Sequence, residues 1–171
     1  MKRLADYYPN DLNYKGMYGD ILLQNDKDDE ALRIYREILS EEPDNNRTQL
    51  SLRSYYKKLG ETAKADSMTM CVLLNKNTTN DAREYLMRQL ISEQGEENRD
   101  SIKVLSCFDA IQHSDCRSAD IGLLQVAYMN MLKMPEDSVV KVLENILDFA
   151  PDNASASLQL IGKAWEKDDM D

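Results

Sequence analysis

The sequence predicts an all-α protein assembled from short helix pairs, and three observations carry that prediction. Only six glycines and four prolines occur in 171 residues, about half of ordinary usage and too few turn residues for a many-stranded sheet protein. Between the polar turns, apolar residues recur every three or four positions, the period of an amphipathic helix. The turns themselves also recur, at a spacing of about 34 residues that falls in the range of helical repeat arrays. Pro9-Asn10-Asp11 returns as Pro43-Asp44-Asn45, and one more equal step reaches the polar stretch Asn77-Thr78-Thr79-Asn80. Pro151-Asp152-Asn153 lies slightly more than two further periods beyond Asn77. Each period divides into two helices of roughly 13–15 residues, an ordinary helix length.

Along the chain, residues 1–9 place Leu4 and Tyr7 just before Pro9, as the closing turns of a second helix whose first helix would precede Met1. Residues 12–45 form the first complete repeat. Small Gly19 and Ala31 let two antiparallel helices approach closely, Tyr18, Leu22, Tyr35 and Ile38 fill the space between them, and Pro43 cannot continue the helix. Asp28 and Asp29 are expected to cap and charge the start of the second helix. Residues 46–79 keep Leu52, Tyr56, Gly60, Ala65 and Val72 at corresponding offsets. They depart at Arg53, where a small residue is expected, and at Asn77, which stands in the place of proline, so looser packing is predicted there. Residues 80–119 are irregular: Leu86 and Leu90 fit a first helix, but the turn through Gly95 is long before Ser101, Leu105 and Phe108, and a second long loop spans Gln112 to Ala119. Residues 120–153 restore the pattern with Ala127, Val139, Leu143, Ile146 and Pro151, Pro135 opening the second helix. Residues 154–171 read as a lone or capping first helix, apolar at Ala156, Leu160, Ile161, Ala164 and Trp165, with an acidic tail.

In the first repeat Tyr18, Gly19, Leu22, Ala31, Tyr35, Ile38 and Pro43, with Asp29-Glu30-Ala31-Leu32, resemble the tetratricopeptide-repeat pattern. The resemblance spans nearly the whole chain, closest in the first and fourth repeats and weakest in the third. It implies a right-handed superhelical solenoid of antiparallel helix pairs and a non-catalytic scaffold that binds protein or peptide. Tyr and Asn richness suits a bacterial array, and the unmatched helix at the start is expected of an internal stretch of a longer array, with Met1 an added initiator. Location, cytoplasmic or periplasmic, would then depend on what precedes it. The alternative expectation is a structural spacer that self-associates through apolar ends, Leu4 and Tyr7 at one and Leu160, Ile161 and Trp165 at the other.

Composition excludes several other classes. The longest uncharged run, Ile121 to Leu132, has twelve residues, whereas a bilayer span needs roughly 20. With 21 basic against 31 acidic residues, a net charge of -10 and no basic stripe, the chain lacks the phosphate-neutralising term of nucleic-acid binding. Cys71, Cys107 and Cys116 are odd in number without CxxC spacing, so neither a disulfide framework nor a metal site is encoded, and Cys71 and Cys107, in apolar runs, are expected to be buried. One histidine, His113, and acidic residues that sit singly or in solvated runs leave no constellation for catalysis, and no nucleophile-elbow, phosphate-loop or HExxH motif occurs. No enzyme activity and no cofactor are expected.

What remains is a binding wall on the first helices, off the inter-helix apolar stripe. It comprises Asn13, Met17, Asp20 and Gln24, then Arg47, Leu50, Ser54 and Lys57, then Glu84, Tyr85 and Arg88, then Leu124, Gln125, Tyr128 and Met131. Arg47, Lys57 and Arg88 would pair with a partner's carboxylate while Tyr85 and Tyr128 stack on its side chains. Tetratricopeptide modules that hold the acidic tails of chaperones use a Lys–Asn–Arg clamp; the first two positions here are Gly16 and Asp20, so the resemblance does not extend to that ligand.

Overall fold

The computed structural model describes residues 10–93 and 101–168, with residues 3, 7 and 8. The readings at Leu4, Pro9 and Gly95 and the last three residues of the acidic tail lie outside them. Among the described residues all regular structure is helical. The elements are α1 (Leu12–Gln24), α2 (Asp28–Glu41), α3 (Asn46–Lys58), α4 (Thr62–Leu74), α5 (Asn80–Ser92), α6 (Ser101–Gln112), α7 (Ala119–Met131), α8 (Glu136–Phe149) and α9 (Ala154–Asp168). The chain forms two compact units, Met1–Thr78 and Thr79–Asp171.

Side-chain caps set the starts of α1 and α3, the first helix of each pair in the first unit. Asp11 Oδ1 accepts from the Asn13 and Tyr14 amides, and Asn45 Oδ1 from the Thr48 amide. The step from Asp11 to Asn45, taken once more, reaches the next such cap, Thr79, which accepts from Ala82. The helix ends are equally regular. Asp26 (φ +57°) and Gly60 (φ +71°), separated by that same step, turn the chain in the left-handed region, while the next residues, Lys27 and Glu61, donate back to Leu22 and Tyr56. Asp26 tolerates this conformation better than most side chains, and Lys58 ties its carboxylate, Asp28 and the Leu23 carbonyl together. Asp28 therefore serves this clasp in the first turn of α2, whose N-cap is Lys27 without a side-chain cap bond.

Packing in this unit follows from those turns. Lys15 meets Glu41, Gly16 faces Ile38, and Gly19 faces Tyr35, so contacts run in opposite order along α1 and α2. Ala31, Tyr35 and Ile38 have no exposed surface and, with Leu22, Leu52 and Tyr55, form the core, each large side chain contributing about 1.5–3 kcal/mol. Arg53 occupies the Gly19-equivalent place. It is buried there, with Nε donating to Thr69 Oγ1 at 3.0 Å. Cys71 is exposed, contrary to expectation, because the buried face of α4 runs through Ala65, Thr69, Val72 and Leu73.

In the second unit α7 packs against α5, α6 and α8, and α8 against α9. Val126, Met129, Val139, Leu143 and Ile146 make its core. Gly122 is required where α7 crosses α8, because a Cβ there would come within 2.7 Å of Ile146 Cγ1. α7 begins at Ala119 after Ser118, one residue earlier than the Asp120 start expected, and Pro135 is the N-cap of α8.

Candidate functional site

In the first unit the first helices of successive pairs, α1 and α3, leave a cleft of about 380 Å³. Its base is organised by one carboxylate. Tyr35 of α2 donates to Asp20 Oδ1 at 2.9 Å, Ser51 of α3 donates to the same oxygen at 2.6 Å, and Arg47 Nη2 of α3 reaches Oδ2 at 3.4 Å. Asp20 of α1 thus pins both α2 and α3. The Tyr35 hydroxyl titrates well above its ordinary range, first because it is buried and then because Asp20 opposes a second negative charge beside it. Leu23 and Leu50 supply apolar walls, Gln24 and Ser54 line the polar rim, and Arg47 keeps its remaining guanidinium donors at the edge with its side chain 45% exposed.

Neither the protein-family models nor the curated proteins compared with this chain match it. The site therefore rests on its own geometry.

Of the predicted wall residues, the structure brings Asp20, Gln24, Arg47, Leu50 and Ser54 together around the cleft, with Asp20 and Arg47 paired with each other. Asn13 is exposed but lines a different hollow, next to Tyr8 and Glu42, and Met17 is half-buried. Lys57 is exposed on α3 outside the cleft lining. Tyr85 and Arg88 belong to the second unit. Tyr85 is 72% exposed, and Arg88 is already committed, its Nε and Nη2 donating to Glu84 Oε1 one turn earlier at 2.9 and 2.6 Å.

Leu124 and Tyr128 require correction. Both are buried, at 8% and 3% exposure, with the Tyr128 ring 6.1 Å from that of Phe108. Gln125 is buried too, donating to Asp109 while its Oε1 has no protein partner. The cause is the one-residue difference in where α7 starts, which rotates every position by about 100° around the helix axis. Counted from the Ser118 cap, the positions equivalent to Leu50, Ser54 and Lys57 are Leu123, Ala127 and Asn130; the first is half-buried and the other two are exposed. Ala127, expected on the packing stripe, thus faces solvent. Ser118, an N-cap residue type three positions before the uncharged run that starts at Ile121, was the available signal. Sequence reasoning also missed Ser51 and Leu23 as cleft residues. Both sit one position from residues that it had placed on the wall or the core stripe.

Among the described residues no helix is long and apolar enough to cross a membrane. His113 is exposed, its Nδ1 2.7 Å from the Asp109 carbonyl.

Proposed function

We propose that this chain is a non-catalytic scaffold of tetratricopeptide-like repeats, antiparallel helix pairs in a right-handed superhelix, that binds a protein or peptide on the face of its first helices. The observation that carries the reading is the α1–α3 cleft: half-buried Leu23 and exposed Leu50 flank a base immobilised by Tyr35, Ser51 and Arg47 around Asp20. Preorganised walls of this kind lower the ordering cost of binding. The opposite contact order of α1 and α2 and the even spacing of Asp11, Asn45 and Thr79 as caps support the repeat architecture. Selection from a displayed peptide library is expected to yield ligands for the full chain whose affinity falls at least about tenfold in a Leu50→Asp, Arg47→Ala variant, the loss of one anchor and one charged contact. Both positions are exposed, so the variant keeps its fold. Selected peptides that bind it unchanged would remove the cleft from the proposal.

A second reading, a spacer that self-associates, is favoured by one observation. On α9, Leu158 and Trp165 are 68% and 71% exposed and Ile161 lies between them on the same side of the helix.

A further inference from the structure

The second unit carries a small hollow, about 180 Å³, between the end of α6, the connector that follows it and the last turns of α8. The connector is held in a defined shape. Ser114 donates to the Ile111 carbonyl at 2.8 Å and accepts from the Cys116 amide at 3.0 Å, the Arg117 amide donates to the Ser114 carbonyl, and Gln112 Nε2 donates to Ser118 O at 3.3 Å. Cys116 and Ser118 are buried beneath it. This conformation lays the Arg117 guanidinium over the Phe149 ring, 4.9 Å from its centroid. This contact with the ring leaves the guanidinium N–H groups available.

Asp148, one residue before Phe149, lines the same hollow as Arg117. The two opposite charges form no ion pair with each other, and neither has an ion pair or side-chain hydrogen bond elsewhere among the described residues. A strong donor and a strong acceptor therefore face one small space over an aromatic floor without satisfying each other. A carboxylate placed between them would gain Arg117 but be opposed by Asp148 and by Asp115 at the adjoining mouth; an ammonium would gain Asp148 but be opposed by Arg117. A neutral group carrying both an acceptor and a donor satisfies both sides. We propose that this hollow binds a primary carboxamide, the side chain of a glutamine or asparagine on a partner polypeptide, with Arg117 donating to its carbonyl oxygen and Asp148 accepting from its NH₂. Asn145, on the wall, offers a further amide. The site is separate from the α1–α3 cleft and does not depend on the reading of that cleft.

Titration of the full, ¹⁵N-labelled chain with Ac-Ala-Gln-Ala-N-methylamide and its Glu, Lys and Ala counterparts tests this. The expected result is saturable shifts of amides in 112–118 and 145–149 with the Gln peptide, and at least about tenfold weaker binding of the other three, the scale of one charge-assisted hydrogen bond. Arg117→Ala and Asp148→Ala, both at exposed positions, should each weaken the Gln peptide about tenfold while leaving distant amides unmoved. Equal binding of the Gln and Ala peptides, preference for Glu or Lys, no saturable shift, or indifference to both substitutions would overturn the proposal.

Discussion

A Cβ added at Gly19 would meet Tyr35 Cε1 at 2.7 Å, and the fully buried ring has nowhere to retreat; at Gly16, three residues away on the same helix, the nearest atom is 3.8 Å off. The two glycines look alike in the sequence and differ in purpose. Gly19→Ala is expected to destabilise the first unit by about 1–3 kcal/mol through overpacking, whereas Gly16→Ala should be neutral or stabilise by up to about 1 kcal/mol as the helix gains a better former. Chemical denaturation of the two variants decides this. Tyr35 gives a second prediction. Its folded-state titration is raised above the ordinary value of 10.0, so from about pH 10 upward the unfolded chain loses a proton that the folded chain keeps, and stability falls. Tyr35→Phe should flatten that alkaline decline in denaturation midpoints measured between pH 9 and 11, at a cost near neutrality of about 1 kcal/mol for the hydrogen bond to Asp20. That Asp20 and Tyr35 matter was legible from their spacing. That they bond to each other was not, because composition and periodicity place residues on faces without saying which polar groups meet.

Between elements, the turns after α2 and α4 are laced together by side-chain amides. Asn75 Nδ2 donates to the Asp44 carbonyl and to Gln49 Oε1, Gln49 Nε2 donates to the Pro43 carbonyl, and Asn46 Nδ2 donates to the Asn77 carbonyl. Asn77 in turn donates its own N–H to Asn75 Oδ1 at 2.8 Å. Proline could not do this, which gives a physical reason for the departure from the repeat pattern there. Asn75→Ala should cost about 2 kcal/mol, since several bonds are lost and the buried Gln49 amide oxygen loses its donor; Asn46→Ala, which removes one exposed bond, should cost about 0.5 kcal/mol, both read from thermal or urea unfolding. The all-α class and the placing of Gly19, Ala31, Tyr35 and Ile38 at the close contact were readable because period and residue size report them directly. The register of α7 was not, because the chain from Gln112 to Ala119 is long and the period stretches across it: the caps Thr79 and Ser118 stand further apart than Asp11 and Asn45, or Asn45 and Thr79. An error of one position in a helix is enough to exchange surface for core, and Leu124 and Tyr128 show the result.

For the molecule as a whole, the net charge of -10 opposes association of copies, while the exposed face of α9 favours it. These terms respond differently to salt, which screens the repulsion and leaves apolar burial intact. If the spacer reading holds, sedimentation velocity should show self-association that grows with protein concentration and with ionic strength. Trp165 is the sole tryptophan, so its emission should shift to shorter wavelength in step. Leu158→Glu with Trp165→Glu should leave a monomer under every condition, and a wild-type monomer throughout would discard that reading.

Positions along α7 differ in how freely they can change. α7 hides Ile121, Gly122, Leu124, Val126, Tyr128 and Met129 on nearly every side, touching α5, α6 and α8 at once. A helix so enclosed leaves only a narrow solvent-facing strip on which mutation can wander. As such a sequence diverges, Ala127 and Asn130, which face solvent, would be free to drift, while Val126, Tyr128 and Met129 between and beside them would alter only in concert with residues on the helices they touch.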